Sequence, residues 1–281
     1  VRTSFPLLPS VGPNCAFQAY PKAASITGRP SSFLATCWAV YDAAGIIIPM
    51  DAKITKIAGI PAVTFGEPAE SAYLYVHGRQ ARKEEACELA DIVCPKGYQV
   101  IGFDLPEHGD RKSEPTACTV QNGVADLRRV LAEVAPRYRR LSLHACSLGA
   151  YFSLIAYADV RFERCLFLSP ILDMERLIRN MMAWAGVSEE RLRTEREVAT
   201  PFGETLSWDY FEYVRAHPVV KWESPTSILY GDRDNLTERD VLDSFVRRFG
   251  CELQVMPGGE HYFHTPEQMA VLRAWLGSRL Q

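Results

Sequence analysis

From Met50 onward, short apolar runs alternate with stretches whose apolar residues recur at helical spacing, and this rhythm restricts the fold more than any other feature of the chain. The runs Ala62–Phe65, Ala72–Val76, Gln99–Phe103, Leu141–His144, Cys165–Leu168, Ser227–Tyr230 and Leu253–Met256 read as strands. Gly, Pro or Asp bounds them, as expected for strands covered on both faces. Between them, Arg82–Val93 carries Ala86, Leu89, Ala90 and Val93 on one helical face, and Gly123–Val134 carries Val124, Leu127, Val130, Leu131 and Val134. The last helix is announced by Thr265 as N-cap, Pro266 in the first turn and Gln268 at the third position. Met269, Leu272, Trp275 and Leu276 then share one face. Strand and helix alternating over some 200 residues predict an α/β fold, a mostly parallel central sheet with helices on both faces.

The rhythm breaks once. About 55 residues separate the strand at Leu168 from the one at Ser227, far more than a crossover needs. The interval carries helical stretches at Met174–Trp184, Glu189–Val198 and Ser207–Val214, and it is rich in Met and aromatic residues. A helical cap inserted over the sheet, about residues 171–223, accounts for both features. The charged run from Ser188 to Glu197 reads as a solvated helix face with pairs such as Glu189–Arg193.

The first 49 residues differ. They hold four charged residues (Arg2, Lys22, Arg29 and Asp42) and six of the 18 prolines, with no helical or strand period. The reading is a poorly ordered leader, either upstream translated sequence or a targeting segment, with the folded domain spanning 50–281.

Composition excludes several classes. Of the 281 residues, 47% are hydrophobic and 23% charged, which is a globular balance. A net charge of −3 with scattered Lys and Arg offers no nucleic-acid footprint. No apolar run approaches the roughly 20 residues of a membrane span. Eight cysteines without a Cys-x-x-Cys motif favour neither a disulfide scaffold nor a zinc ribbon. Cys87, Cys94, Cys146 and Cys165 read as small buried hydrophobes, which suits a reducing, cytoplasmic compartment. Neither Gly-x-Gly-x-x-Gly nor a Gly-Lys-Ser/Thr loop occurs, so no cofactor is implied.

In α/β sheets the chemistry gathers at the carboxyl ends of the strands. After Leu141–His144 the chain reads Ala145-Cys146-Ser147-Leu148-Gly149, a sharp strand-to-helix turn with Ser147 at its apex and small residues on both sides. Alone, it could be a plain turn with a serine N-cap. After Ser227–Tyr230 come Asp232 and Asp234. Asp234 is preferred as the acid because it lies deeper in the turn, with Asp232 and Asp240 as alternatives; Asp240 is more simply a first-turn helix acid beside a Thr237 cap. After Leu253–Met256 come His261 and, three residues on, His264; the pair has no third ligand for a metal. After Ala72–Val76, His77-Gly78-Arg79 would turn the Arg79 amide toward Ser147, so that Arg79 and Leu148 N–H groups form a two-donor oxyanion hole. His144, His77 and His108 read as structural histidines, the last two as holders of loops. A serine, an acid and a histidine in that chain order, each after a separate strand, are jointly far more specific than any one of them.

The chain here resembles the α/β-hydrolase superfamily over residues 50–281. The likeness rests on His77-Gly78, on Asp104 through Gly109, on Ala145 through Gly149, on Gly231-Asp232-Arg233-Asp234 and on Gly259-Glu260-His261. Two positions depart from the family's pattern, Ala145 for the first elbow glycine and Glu107 for a glycine in the Asp-x-x-Gly-His-Gly loop. The resemblance implies Ser147 as nucleophile, Asp234 as acid, His261 as base, and a lid between strands six and seven. The expected activity is carboxylic-ester hydrolysis through an acyl-enzyme, with a small-molecule ester as substrate and an apolar or aromatic group under the cap. A thioesterase or peptidase of the same fold, or a non-catalytic ligand-binding member, is the alternative.

Overall fold

The computed structural model describes residues 52–279 and, before them, only the backbone of an antiparallel strand pair, Ala39–Tyr41 with Ile47–Pro49. The leader expected over 1–49 otherwise lies outside the described residues.

Among the described residues, eight strands form the central sheet. In chain order they are β1 (Lys53–Ile57), β2 (Ile60–Phe65), β3 (Ser71–Val76), β4 (Tyr98–Phe103), β5 (Arg140–Cys146), β6 (Cys165–Leu168), β7 (Thr226–Gly231) and β8 (Glu252–Met256). Their spatial order is β1-β2-β4-β3-β5-β6-β7-β8. The pairs β1–β2 and β2–β4 are antiparallel and all other pairs are parallel. Each run read as a strand is one, within two residues at either end.

The strand β1 escaped that reading for a physical reason. It is an edge strand reading Lys-Ile-Thr-Lys-Ile, and its Ile54 is 55% exposed. No continuous apolar run marks such a strand. Ala58 and Gly59, both at positive φ, turn it into β2 as a two-residue hairpin.

Eight α-helices accompany the sheet among the described residues: α1 (Cys87–Val93), α2 (Val120–Val134), α3 (Ser147–Ala156), α4 (Met174–Ala185), α5 (Glu189–Glu195), α6 (Trp208–Ala216), α7 (Arg239–Phe249) and α8 (Pro266–Ser278). Side-chain alternation in the strands sorts the core into two layers. Ala72, Leu74 and Val76 of β3 face the layer that holds Leu127 of α2, Phe152 of α3 and Phe245 of α7. Tyr73 and Tyr75 face Leu89 and Val93 of α1 and Trp275 of α8. The capping box at Thr265 and Gln268 starts α8 as expected.

Between β6 and β7 in chain order lie α4, α5, a short hairpin (Glu197–Ala199 with Thr205–Ser207) and α6. Two expectations are corrected here. The helix read as Glu189–Val198 stops at Glu195, where Arg196 takes φ +67 and Val198 pairs across the hairpin with Leu206, both buried. Burial of that cross-strand pair outweighs local helix preference. Glu189 does not pair with Arg193 but with Arg179 at 3.2 Å and Arg215 at 2.9 Å, and both guanidiniums sit over the Phe211 ring. Met182, Trp208 and Phe211 of this segment are buried in the core layer that also holds Leu127, Phe152 and Phe245.

Elsewhere, Arg82–Val93 is not one helix. Lys83–Ala86 is a 3₁₀ turn ahead of α1, because the Lys83 N–H is drawn to Asp104 at 2.9 Å. The cap of α7 is Glu238, not Thr237, whose hydroxyl donates to the Pro170 carbonyl. Cys165 is fully buried, whereas Cys87, Cys94 and Cys146 are only partly so.

Candidate active site

The parallel strands β5, β7 and β8 end on the same edge of the sheet, and each delivers one side chain. At the end of β5, Cys146 is still extended (φ −116°, ψ 136°), and Ser147 takes φ +48° as the first residue of α3. A non-glycine residue at positive φ is strained, and such strain collects where a side chain must be presented. Gly149 permits the turn: a Cβ there would overlap the carbonyl oxygens of Val76 and His77. The Ser147 hydroxyl does not cap its own helix, so the plain serine N-cap reading fails. It lies 2.8 Å from His261 Nε2.

His261 follows β8 through Gly258 and Gly259. A Cβ on Gly231, the last residue of β7, would overlap the Gly259 carbonyl, so the two loops can cross only as glycines. Arg233 N–H donates to Gly259 O at 2.8 Å and ties the crossing. It brings Asp234 Oδ2 to 2.7 Å from His261 Nδ1. The other oxygen of Asp234, Oδ1, accepts from the Leu236 and Thr237 amides at 2.8 and 3.0 Å. The Asp234 side chain has no exposure and that of His261 is 14% exposed. The acid is therefore fixed by two amides and the ring by the acid, with the second ring nitrogen left to the hydroxyl.

The alternatives sit elsewhere. Asp232 accepts from the Gly258 amide at 2.6 Å and so shapes the histidine loop. Asp240 lies in the first turn of α7. His264 stacks on Tyr262, half exposed, with Nδ1 on the Tyr262 carbonyl.

Across from the elbow, Gly78 is so close that an added Cβ would stand 3.2 Å from Ser147 Cβ. This places the Arg79 amide beside the start of α3, whose first-turn N–H groups include that of Leu148. The Arg79 guanidinium reaches the other way, forked onto Glu204 of the hairpin at 3.1 and 3.0 Å. Burial works against the Arg79 charge, and the Glu204 carboxylate more than offsets it, raising the guanidinium above its ordinary value. Sequence reading missed Glu204, because nothing local distinguishes a glutamate in a hairpin. It also missed Lys83, whose buried ammonium meets Asp104 at 2.9 Å, Asp110 at 2.7 Å and Glu84 at 2.8 Å. Burial opposes that charge, and the three carboxylates together hold it.

Cys146 and His144 face away from the serine. Cys146 Sγ lies 4.0 Å from the Tyr75 hydroxyl and 3.9 Å from His144 Nε2. Burial pushes the thiol up to about 12, so it holds its proton at neutral pH and is a poor nucleophile. His144 Nδ1 donates to the Leu166 carbonyl at 2.9 Å, and burial pushes its imidazole down to about 4. Glu107 adopts φ +62°, the conformation a glycine would take freely, and its carboxylate accepts from the Cys118 amide at 2.7 Å. That bond supports the departure from glycine at this loop position.

No group of three or more His, Cys, Asp or Glu among the described residues is arranged to hold a metal ion. No described helix is long and apolar enough to cross a membrane. Two surface clefts, of about 420 and 440 Å³, lie away from this centre; one is lined by Tyr151, Leu172 and Phe245, the other by Leu154, Ile155 and Tyr213. Neither is lined by Ser147, Asp234 or His261.

No family model matches the chain. Hydrolase ORFZ of Pyricularia oryzae is 33% identical over 105 residues, covering 34% of this chain and 25% of that protein. Hydrolase LUC6 of a Fusarium species is 24% identical over 196 residues, covering 63% and 44%. The matched regions thus span less than half the length of these curated relatives. Among solved structures, Est1E of Butyrivibrio proteoclasticus with bound ferulic acid superposes with a TM-score of 0.65 at 17% identity, covering 82% of this chain and 98% of its own. The thioesterase domain of the curacin biosynthetic pathway gives 0.53 at 18% identity, covering 80% and 98%. Mouse alpha/beta hydrolase domain-containing protein 10 gives 0.65 at 14%, covering 82% and 98%. Strand order, strand-end geometry and these likenesses agree, and the chain has the α/β-hydrolase fold.

Proposed function

We propose that this chain is a serine hydrolase that cleaves carboxylic esters of small molecules through an acyl-enzyme. One observation carries the reading: the unbroken relay from Ser147 Oγ to His261 Nε2 at 2.8 Å and from His261 Nδ1 to Asp234 Oδ2 at 2.7 Å. A serine hydroxyl is a weak nucleophile at neutral pH, and an imidazole within hydrogen-bond reach removes its proton as it attacks. Asp234, buried and anchored by two amides, keeps the Nδ1–H tautomer and stabilises the imidazolium.

In this mechanism Ser147 Oγ adds to the ester carbonyl while His261 takes its proton. The developing oxyanion is held by the Arg79 and Leu148 N–H groups and by the amino end of α3. His261 returns the proton to the leaving alkoxide, giving free alcohol and an ester on Ser147. Water then attacks that ester with His261 as base, and collapse releases the acid and restores Ser147. The segment between β6 and β7 serves as a cap, tied to the oxyanion loop by the Arg79–Glu204 fork. Likeness to an esterase favours an oxygen ester; likeness to a thioesterase domain supports a thioester as the second reading.

A fluorophosphonate probe should label Ser147 in the unaltered protein, and Ser147→Ala should abolish both labelling and p-nitrophenyl acetate turnover. Loss on the order of 10⁴–10⁶ in rate is expected with folding intact. A Ser147→Ala protein that still turns over the ester would end the assignment.

A further inference from the structure

His77 and His108 are buried side by side, their ring centroids 5.2 Å apart, and neither touches Ser147, Asp234 or His261 through a hydrogen bond. Their partners are backbone groups, and the donor types fix the tautomers. The Leu105 N–H can only donate, so His77 Nε2, 3.0 Å away, is the acceptor. The proton of the neutral ring is then on Nδ1, which donates to the Gly78 carbonyl at 2.8 Å. Likewise the Gln80 N–H donates to His108 Nε2 at 3.0 Å, and His108 Nδ1–H donates to the Pro106 carbonyl at 2.7 Å.

The Gly78 carbonyl and the Arg79 N–H belong to one peptide plane and point in opposite directions. The Gln80 N–H belongs to the next plane. We infer that His77 and His108 are the positioning residues of the oxyanion hole, each ring pinning one of the two peptide units on either side of the Arg79 Cα: His77 holds the unit that carries the Arg79 N–H, and His108 holds the next. The inference rests on the oxyanion role proposed above for that amide.

Two further observations support it. Gln80 takes φ +63°, a conformation a non-glycine residue holds only when its surroundings impose it. His108 supplies that constraint at the Gln80 amide. The far ends of both rings are also anchored. His77 and His108 are held through Leu105 and Pro106, and that loop starts at Asp104, whose carboxylate accepts from the Lys83 and Asp110 amides and from the Lys83 ammonium. The buried ion cluster around Lys83 thus braces the segment against which the two imidazoles push. Both rings must be neutral, since each uses one nitrogen as acceptor. Burial lowers the affinity of both for a proton and keeps them in that state.

The two clamps use different ring atoms, so opposite substitutions preserve them. An Asn side-chain amide reproduces Nδ1–H and a Gln carbonyl reproduces Nε2. His77→Asn and His108→Gln therefore keep the contact to the Arg79 peptides, whereas His77→Gln and His108→Asn keep only the outer contact. With p-nitrophenyl acetate and the full chain, His77→Gln and His108→Asn are expected to lower kcat by about 10- to 100-fold with KM nearly unchanged, less than the roughly 100- to 1000-fold cost of removing an oxyanion donor outright, because the amide is misplaced and not lost. His77→Asn and His108→Gln should stay within about threefold, because the contact that positions the donor is retained. Equal losses in all four variants, or the reversed pattern, would overturn the inference while Ser147 labelling still stands. If the unaltered protein is not labelled by fluorophosphonate, the Ser147 reading falls and this inference falls with it. A measurement without variants covers failed folding. In ¹⁵N spectra of the histidine-labelled protein, both rings must be the neutral Nδ1–H tautomer, and an Nε2–H tautomer in either overturns the clamp.

Discussion

His144 lies three residues before the elbow serine, and its removal separates a structural histidine from a catalytic one. Its ring is 3% exposed, donates to the Leu166 carbonyl, and is pushed by burial from an ordinary 6.5 down to about 4. The unfolded chain therefore binds a proton at this position between those two values while the native chain does not. Stability from this residue is fully present above pH 6.5 and drains away as the pH falls toward 4. At about 1.4 kcal/mol per pH unit, the drain between pH 7.5 and pH 4.5 amounts to about 2.5 kcal/mol. His144→Asn keeps a donor for Leu166 and has nothing to titrate. Every other titrating group is common to both proteins, so comparing their pH dependences isolates this term. Urea unfolding at the two pH values should show the unaltered protein losing about 2.5 kcal/mol more than the variant. Ester turnover at pH 7.5 should stay within a fewfold. Parallel losses in the two proteins would refute the argument, and a collapse of turnover in a folded variant would make His144 part of the chemistry.

Other outcomes follow from single contacts. His261→Ala should reduce turnover as far as Ser147→Ala, by about 10⁴-fold or more, because the pair acts as a unit; His264→Ala, whose ring reaches only Tyr262 and Glu260, should leave it within a fewfold. Gly149→Ala drives a methyl into the Val76 and His77 carbonyls and should cost about 3 kcal/mol or more. Gly277→Ala, in open space near the end of α8, should stabilise by about 0.5–1 kcal/mol; chemical denaturation of both decides whether backbone crowding or glycine content matters. Burial pushes the Glu85 carboxyl up to about 7, so the native state holds a proton that the unfolded chain has released above 4.5. Stability should fall as the pH rises through that window, and Glu85→Gln should remove the fall, a difference of up to about 3 kcal/mol at pH 8 by thermal or urea unfolding.

The strands and the three side chains that meet in the candidate site were legible for one reason. Both signals are local in the chain: an apolar run between breakers marks a buried strand, and the residue just past its carboxyl end is a candidate for chemistry. Wherever the determining partner was distant, the reading failed. Lys83 opens a 3₁₀ turn because Asp104, 21 residues on, takes its amide. Val198 leaves the helix read for it because Leu206 covers it. Glu189 abandons its i+4 neighbour for Arg179 and Arg215, which reach it from two other helices.

The two loop-holding histidines show the limit most clearly. That His77 and His108 hold loops is readable from their positions beside glycines. What they hold is set by which ring nitrogen meets which backbone group, and sequence spacing carries no trace of that. The serine, histidine and aspartate are short, local placements on three strand ends. The amide opposite them depends on a peptide plane that can rotate with little cost unless something stops it. In this chain two neutral imidazoles stop it, one from each side. A site of this kind is recognised by its nucleophile but is tuned by the groups that forbid its backbone to turn.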